Sequence, residues 1–299
     1  MSTAVIETTP AHSAESSLLV MDDVGKSYGN VDALRGVSMN VRQGEVTCVL
    51  GDNGAGKSTL IKIIAGLHEH TSGTMLIEGA DTKFGSPREA QAKGIATVYQ
   101  DLALAPLMSV WRNFFLGNEI TKGPFKSLDV STMSRIAGEE LQKMGIVIPD
   151  LDRPIGALSG GQKQCIAIAR AIYFGAKVVI LDEPTAALGV KQSGVVLKYI
   201  AKMRDAGLGV VFITHNPHHA YLVGNHFIIL KLGRVVLDAH RDELTLDQLT
   251  AEMAGGQELE ALSHELGDLH PGRVVEPATV EPGEVDPPTG AMKIMQSEN

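Results

Sequence analysis

The sequence predicts an α/β fold organised around a largely parallel sheet, and two observations predict it. In the second half, apolar stretches of strand length, KVVILD and GVVFITH, alternate with stretches whose apolar positions recur at helical spacing. Such alternation favours parallel strands joined by crossover helices. In the first half, the apolar run EVTCVLG feeds a glycine-rich turn that passes directly into a helical pattern, the context in which strand, loop and helix build a phosphate cradle.

Composition bounds the partners. The 299 residues suffice for a full core, and 44% apolar with 20% charged residues is ordinary for a globular protein. A formal net charge of −9 and an aromatic share of 4% disfavour a phosphate-backbone footprint and base stacking, so no nucleic-acid partner is expected. The two cysteines, Cys48 and Cys165, sit in apolar surroundings that suit buried, reduced thiols and a cytosolic setting. No run of about 18 apolar residues appears, and the first 17 residues lack a basic flank followed by an apolar stretch, so neither a membrane span nor an export signal is expected.

The elements follow in order. Residues 1–17, rich in Ser, Thr, Ala and Pro without period, read as a flexible tail. Residues 18–47 show rough alternation with turn residues, which predicts short antiparallel strands. After EVTCVLG, the spacing in KSTLIKIIAG predicts a helix with Gly66 as its stop, and TMLIEG and GIATVYQ supply further strands. Residues 101–158 read mainly as a helical subdomain inserted into the sheet-forming chain, on the helical spacing of STMSRIAGEELQKMGI. A helix from Ser159 through Tyr173, the strand KVVILD, the helix VKQSGVVLKYIAKMRDAG, the strand GVVFITH and strands around HFIILKLGRVVLD complete the ordered part, residues 18–255. Residues 256–299, rich in Glu, Pro and Gly, read as a solvated extension.

Gly51, Asp52, Asn53, Gly54, Ala55, Gly56, Lys57 and Ser58 match the phosphate-loop spacing G-x-x-x-x-G-K-S. Glycines let the backbone curl so that N–H groups point inward, and the following helix N-terminus adds positive potential. Lys57 is then placed for the β- and γ-phosphates, Ser58 for Mg²⁺, and Thr59 beside it for the phosphates. Such a loop alone says only that a nucleoside triphosphate binds.

A second motif changes that. Leu158, Ser159, Gly160, Gly161 and Gln162 spell LSGGQ, with Ser159 placed to cap a helix, and they precede the strand VVILDEP, which ends in Asp182 and Glu183. Phosphate loop, LSGGQ and acidic strand in this order resemble the ATP-binding cassette (ABC) ATPases. The resemblance runs from about residue 18 to 237 and implies a P-loop NTPase fold: an ABC nucleotide-binding domain with a RecA-like core, an antiparallel β subdomain and a helical subdomain. It implies that LSGGQ binds the γ-phosphate of ATP held on a second copy of the chain, Ser159, Gly160, Gly161 and Gln162 forming half of a sandwiched site. Asp182 is expected to hold Mg²⁺, directly or through water, and Glu183 to orient and deprotonate the attacking water.

Three further residues gain weight from position alone. Tyr28 resembles the aromatic on which adenine stacks, Gln100 the glutamine that meets Mg²⁺ and water while joining the helical subdomain, and His215 the histidine that senses the γ-phosphate. Taken singly, each is more often a strand tyrosine, a surface glutamine or a structural histidine. One departure stands out: after Glu183 the chain runs PTAALGV, and Gly189 occupies a place where many ABC ATPases carry Asp. That leaves in doubt a contact across the dimer.

The segment LALAPLMSVWRNFFLGNEI is similar to the "-SV-x-x-N-x-FLG-" stretch of bacterial carbohydrate importers, and DEPTAALGVKQ is likewise similar. The resemblance therefore implies the ATP-hydrolysing subunit of a sugar importer, peripheral on the cytoplasmic face of the membrane. Its implied partners are a second copy of itself, transmembrane permease subunits and, indirectly, a solute-binding protein. A soluble ABC ATPase of DNA repair, translation or iron–sulfur assembly is the alternative. Long coiled-coil insertions, cysteine clusters and duplicated cassettes, which would mark several of those, are not seen.

Overall fold

A computed structural model describes residues 17–255. The tails expected over residues 1–17 and 256–299 lie, apart from Ser17, outside the described residues.

Residues 18–47 do form antiparallel strands, but long ones. β1 (Ser17–Tyr28) and β2 (Val31–Arg42) run 12 residues each and pair from Ser17↔Arg42 to Tyr28↔Val31. Register shifts between Met21 and Val24 and around Lys26 interrupt the pairing. The shifts let the ribbon continue through Asp22, Asp23 and Gly25, residues that disturb strict alternation and make the strands read as short. β3 (Val46–Leu50) follows, then the phosphate loop and α1 (Lys57–Ile64). β4 (Ser72–Ile77) and the two-residue β5 (Ala80–Asp81) complete a four-stranded sheet in the order β2-β1-β4-β5. α2 (Pro87–Ala92) leads into β6 (Ile95–Val98).

The region read as helical is mixed. α3 (Val110–Phe115) and α4 (Val130–Lys143) enclose a small hairpin of β7 (Thr121–Lys122) and β8 (Ser127–Leu128), and a 3-10 turn follows at Ile155–Ala157. Then come α5 (Gly160–Tyr173), β9 (Val178–Asp182), α6 (Val190–Asp205), β10 (Gly209–Ile213), α7 (Pro217–Val223), β11 (His226–Lys231), β12 (Arg234–His240) and α8 (Leu246–Met253).

The central sheet has six strands in the order β12-β11-β3-β10-β9-β6; only the β11–β12 pair is antiparallel. Its core strands are buried on both faces, which explains their uninterrupted apolar runs. Val46, Cys48 and Leu50 of β3, Val179 and Leu181 of β9, and Val210 and Phe212 of β10 face one core with the helices after β6. Their neighbours Val49, Val178, Ile180, Val211 and Ile213 face the other, shared with α1 and the β1–β2 ribbon. Cys48 and Cys165 are buried thiols, and burial pushes Cys165 up to about 12 and Cys48 higher still.

Candidate nucleotide site

β3, β10 and β9 are adjacent and parallel, with Val49 paired to Ile213 and Ile213 to Asp182, so their carboxyl ends open on one crevice. Crevices of this kind are where α/β sheets bind ligands. The phosphate loop leaves β3 there. Gly51 has φ 140°, and a Cβ on it would collide with the Leu230 carbonyl; Gly56 has φ 109°, and a Cβ would press on Leu34 and Ala33. The glycine spacing is thus a steric requirement of this turn.

Asp52, Asn53 and Gly54 are exposed at the crest of the loop, and Ala55 is buried beneath it. The Ala55 N–H donates to the Asp52 carbonyl (3.1 Å), and the Ala55 carbonyl accepts from the Gly233 N–H (2.9 Å). Lys57 folds back under the curl: it is only 9% exposed, and its Nζ donates to the carbonyls of Gly51 (2.5 Å) and Asp52 (2.9 Å). Ser58 is exposed in the first turn of α1, with Thr59 half-buried beside it.

Asp182 ends β9, half-buried. Its carboxyl is held above its ordinary value first by burial and then by the neighbouring Glu183 charge, while Lys57 acts in the opposite sense. Lysine and both carboxylates therefore share one electrostatic neighbourhood. Glu183 adopts φ 48°, a left-handed backbone uncommon for a residue with a side chain, and its N–H donates to the Ile213 carbonyl (3.0 Å). Its two carboxylate oxygens each lie 2.9 Å from His215 Nδ1, which follows β10. The Glu183 side chain is 13% exposed and that of His215 61%.

A feature the sequence reading missed lies just beyond. Thr185, 5% exposed, meets Nδ1 of His219 in α7 at 3.0 Å. The partners are 34 residues apart, and although Thr185 lies within DEPTAALGVKQ nothing in the sequence pairs it with His219.

The other expected residues stand further out. Tyr28, 42% exposed at the end of β1, sets its ring edge-on to His68 at 5.6 Å with Lys26 Nζ 5.1 Å from the ring centre. Gln100 does not end a strand: β6 stops at Val98, and Gln100 lies exposed on a cleft with Asp101, Pro106 and Lys163. Ser159 caps α5, and Gln162 returns the bond: the Gln162 N–H donates to Ser159 Oγ (3.3 Å) and the Ser159 N–H to Gln162 Oε1 (3.1 Å). Gly160 packs where a Cβ would press on Leu188, and Gly161 faces Gln192. Ser159, Gly161 and Gln162 line a separate cleft with Val147 and Tyr199, and among the described residues no hydrogen bond joins them to the phosphate loop. The structure brings together the phosphate loop, Asp182, Glu183 and His215; it does not bring LSGGQ to them.

Comparison with known proteins identifies the family. The family model described as "ABC transporter" matches residues 34–186. The chain is 44% identical over 238 residues to the xylose/arabinose import ATP-binding protein XylG of Sulfolobus acidocaldarius, covering 80% of this chain and 94% of that one. It is 42% identical over 251 residues to the fructose import ATP-binding protein FrcA of Rhizobium meliloti, covering 82% and 96%. The ribose import ATP-binding protein RbsA of Bacillus subtilis is 35% identical over 235 residues, which span 79% of this chain but 47% of that one.

Among solved structures, a nucleotide-free ATP-binding cassette from an ABC transporter superposes with TM-score 0.67 at 26% identity, covering 75% of this chain and 91% of the other. A dimeric cassette in a post-hydrolysis state with ADP and Pi superposes with TM-score 0.64 at 28% identity, covering 75% and 98%. A phosphate loop, an acidic strand end and a separate LSGGQ on one doubly wound sheet, with two relatives matched over 94% and 96% of their length, lead to one conclusion: the chain belongs to the ABC transporter family.

Proposed function

We propose that this chain is the ATP-hydrolysing subunit of an importer for a simple sugar. The observation that carries the reading is its match to the xylose/arabinose and fructose import ATP-binding proteins over 94% and 96% of their lengths. DNA repair, translation and iron–sulfur assembly find no support in those relatives.

In this reading residues 18–255 form one cassette. Tyr28 stacks on adenine, and residues 51–59 hold the phosphates through loop N–H groups, with Lys57 exchanging its two carbonyl partners for phosphate oxygens. Mg²⁺ fits the hard oxygens at the crevice: Ser58 at the start of α1 and Asp182 at the end of β9 would hold it, with Gln100 joining them only by moving from its own cleft, as suits an ion that takes its remaining ligands from phosphate and water. Among the described residues no group of three or more His, Cys, Asp or Glu could hold a metal ion by itself. When bound, the ion neutralises developing charge on the phosphates.

Glu183 accepts the proton of the attacking water, whose oxygen bonds to the γ-phosphorus as the bond to ADP breaks. For that, its carboxylate leaves His215, and His215 turns to the γ-phosphate, a movement its exposure permits. Ser159, Gly160, Gly161 and Gln162 complete the site of a second copy, since in their own chain they line a cleft apart from the phosphate loop. Support comes from the dimeric cassette with ADP and Pi.

A groove lined by Tyr99, Leu102, Leu104, Ala167, Arg170 and Phe174, next to Gln100, suits a permease segment, which would carry cassette closure to the membrane. No helix among the described residues is long and apolar enough to cross a membrane, so attachment runs through such a partner, with a solute-binding protein on the far side. Purification of the chain from native membranes tests the reading. A polytopic permease with a sugar-binding protein is the expected companion; a ribosome or DNA complex would overturn it.

A further inference from the structure

Two side-chain pairs join the same two segments. Glu183 meets His215 and, two residues on, Thr185 meets His219, four residues beyond His215. The first pair is the working pair of the proposed hydrolysis, and in it the imidazole holds the carboxylate that has to turn to water. The second pair differs in burial and in support. Thr185 is 5% exposed, and α7, which carries His219, is capped by Asn216, whose side chain accepts the His219 N–H at 3.1 Å. The Asn216 N–H in turn donates to Thr214 Oγ1 (3.1 Å), and the Thr214 N–H to the Val49 carbonyl (3.2 Å), so the anchor reaches back to the strand that feeds the phosphate loop.

Glu183 needs such an anchor. A left-handed backbone on a residue with a side chain persists only where its surroundings over-determine it, and opening of the His215 pair removes one of its restraints. We infer that His219 is a positioning residue, accepting the Thr185 hydroxyl at Nδ1 so that the Glu183 segment keeps its place when Glu183 and His215 part. The neutral imidazole this requires is favoured by burial and then by the His218 and His215 charges, all of which lower its pKa. The inference rests on the proposed roles of Glu183 and His215.

The test is steady-state ATP hydrolysis by the full chain carrying Thr185→Val, His219→Leu, His219→Asn or the Val/Leu pair, with the nucleotide-binding fraction measured in each so that unfolded material is discounted. Asn places an acceptor on Cγ where His has Nδ1. Expected are a fall in kcat of about tenfold in both Thr185→Val and His219→Leu with KM for ATP within about twofold, since a displaced base costs turnover more than binding. The double variant falls no further, and His219→Asn recovers most of the loss. Wild-type kcat in His219→Leu, additive losses in the double variant, or no recovery with Asn overturns the inference. Glu183→Gln separates the two levels: normal turnover there refutes the role of Glu183, whereas a dead Glu183→Gln with an active His219→Leu refutes the anchor alone.

Discussion

Asn113 gives the importer-like segment SVWRNFFLG a physical meaning, and replacing it should be costly. The side chain is fully buried. Its Oδ1 accepts the Ala105 N–H at 2.8 Å, and its Nδ2 donates to the carbonyls of Ala105, Met108 and Ser109, each at 3.1 Å. In Asn113→Ala the carbonyls keep other donors: Met108 N–H for Ala105, Ile155 N–H for Met108 and the Asn113 N–H itself for Ser109. The Ala105 N–H keeps no other acceptor among the described residues. Orphaning the half-buried Ala105 N–H costs about 1–2 kcal/mol and the three weakened carbonyl bonds about 0.5 kcal/mol each, so the loss is about 2.5–3.5 kcal/mol. Urea denaturation followed by circular dichroism would measure it, and Asn113→Asp should be no better, because a carboxylate would then face three carbonyls. ATP affinity should hold within about twofold, since the phosphate loop shares no hydrogen bond with Asn113. A loss below about 1 kcal/mol would refute this account of residues 105–109, the loop that carries Leu107 at 91% exposure.

Glu183→Gln should reduce turnover by about 10²–10⁴, or about 3–5 kcal/mol in barrier, and accumulate ATP-dependent dimers by light scattering; monomers with normal turnover would contradict the assigned base. Asp182 has a raised pKa, so its stabilising share is full below the ordinary carboxylate value and lost as pH rises through the folded value. Asp182→Asn should therefore raise the unfolding free energy at pH 7 without Mg²⁺, by less than about 1 kcal/mol given its half exposure, and a lowered Tm would count against it. Two other carboxylates carry the opposite sign. Hydrogen bonds from Thr132 hold Asp129 at about 2, and the His226 hydrogen bond lowers Asp238, so the stability they add is present above about pH 4 and fades as pH falls through their folded values. Acid titration of Asp129→Asn should show a shallower loss between about pH 4 and 2 than wild type. Gly189→Asp should strengthen ATP-dependent dimerisation and raise the Hill coefficient of hydrolysis. Gly189 is the N-cap of α6 with extended φ −69° and ψ 163°, no side-chain bond and open space, so Asp fits; Gly189→Asn supplies the cap without the charge, and an equal effect of both would sink the dimer reading.

What the sequence revealed follows from what leaves a local trace. β3, β9 and β10 are buried on both faces and therefore appear as plain apolar runs, while the glycines at 51 and 56 are demanded by a collision and a left-handed turn that other residues would not accept. Ser159 and Gln162 make a capping box that can be read three residues apart. Other features leave none. The β1–β2 ribbon looks broken because its bulges absorb Asp22 and Asp23, and the β7–β8 hairpin is two residues deep. The strand before Gln100 ends at Val98, since no residue beyond Val98 pairs with β9. Thr185 and His219 meet only through the adjacency of β9 and β10.

The charges at the crevice show why ATP binding in such a site is an exchange of partners more than a gain of new ones. Lys57 already donates to two carbonyls, and Glu183 already meets an imidazole. Each would give up a bond to engage phosphate or water, and a net hydrogen bond is worth only about 1 kcal/mol when one partner replaces another, up to about 3 kcal/mol when the new partner is charged. Phosphate oxygens outbid neutral carbonyls for Lys57, so that exchange favours ATP. Glu183 gives up a histidine for a neutral water, which does not favour it unless His215 finds the γ-phosphate in the same movement. In the proposed mechanism hydrolysis would thereby be tied to the γ-phosphate before LSGGQ of a second copy closes over it, and loss of His215 should free the Glu183 carboxylate as well as remove the phosphate contact.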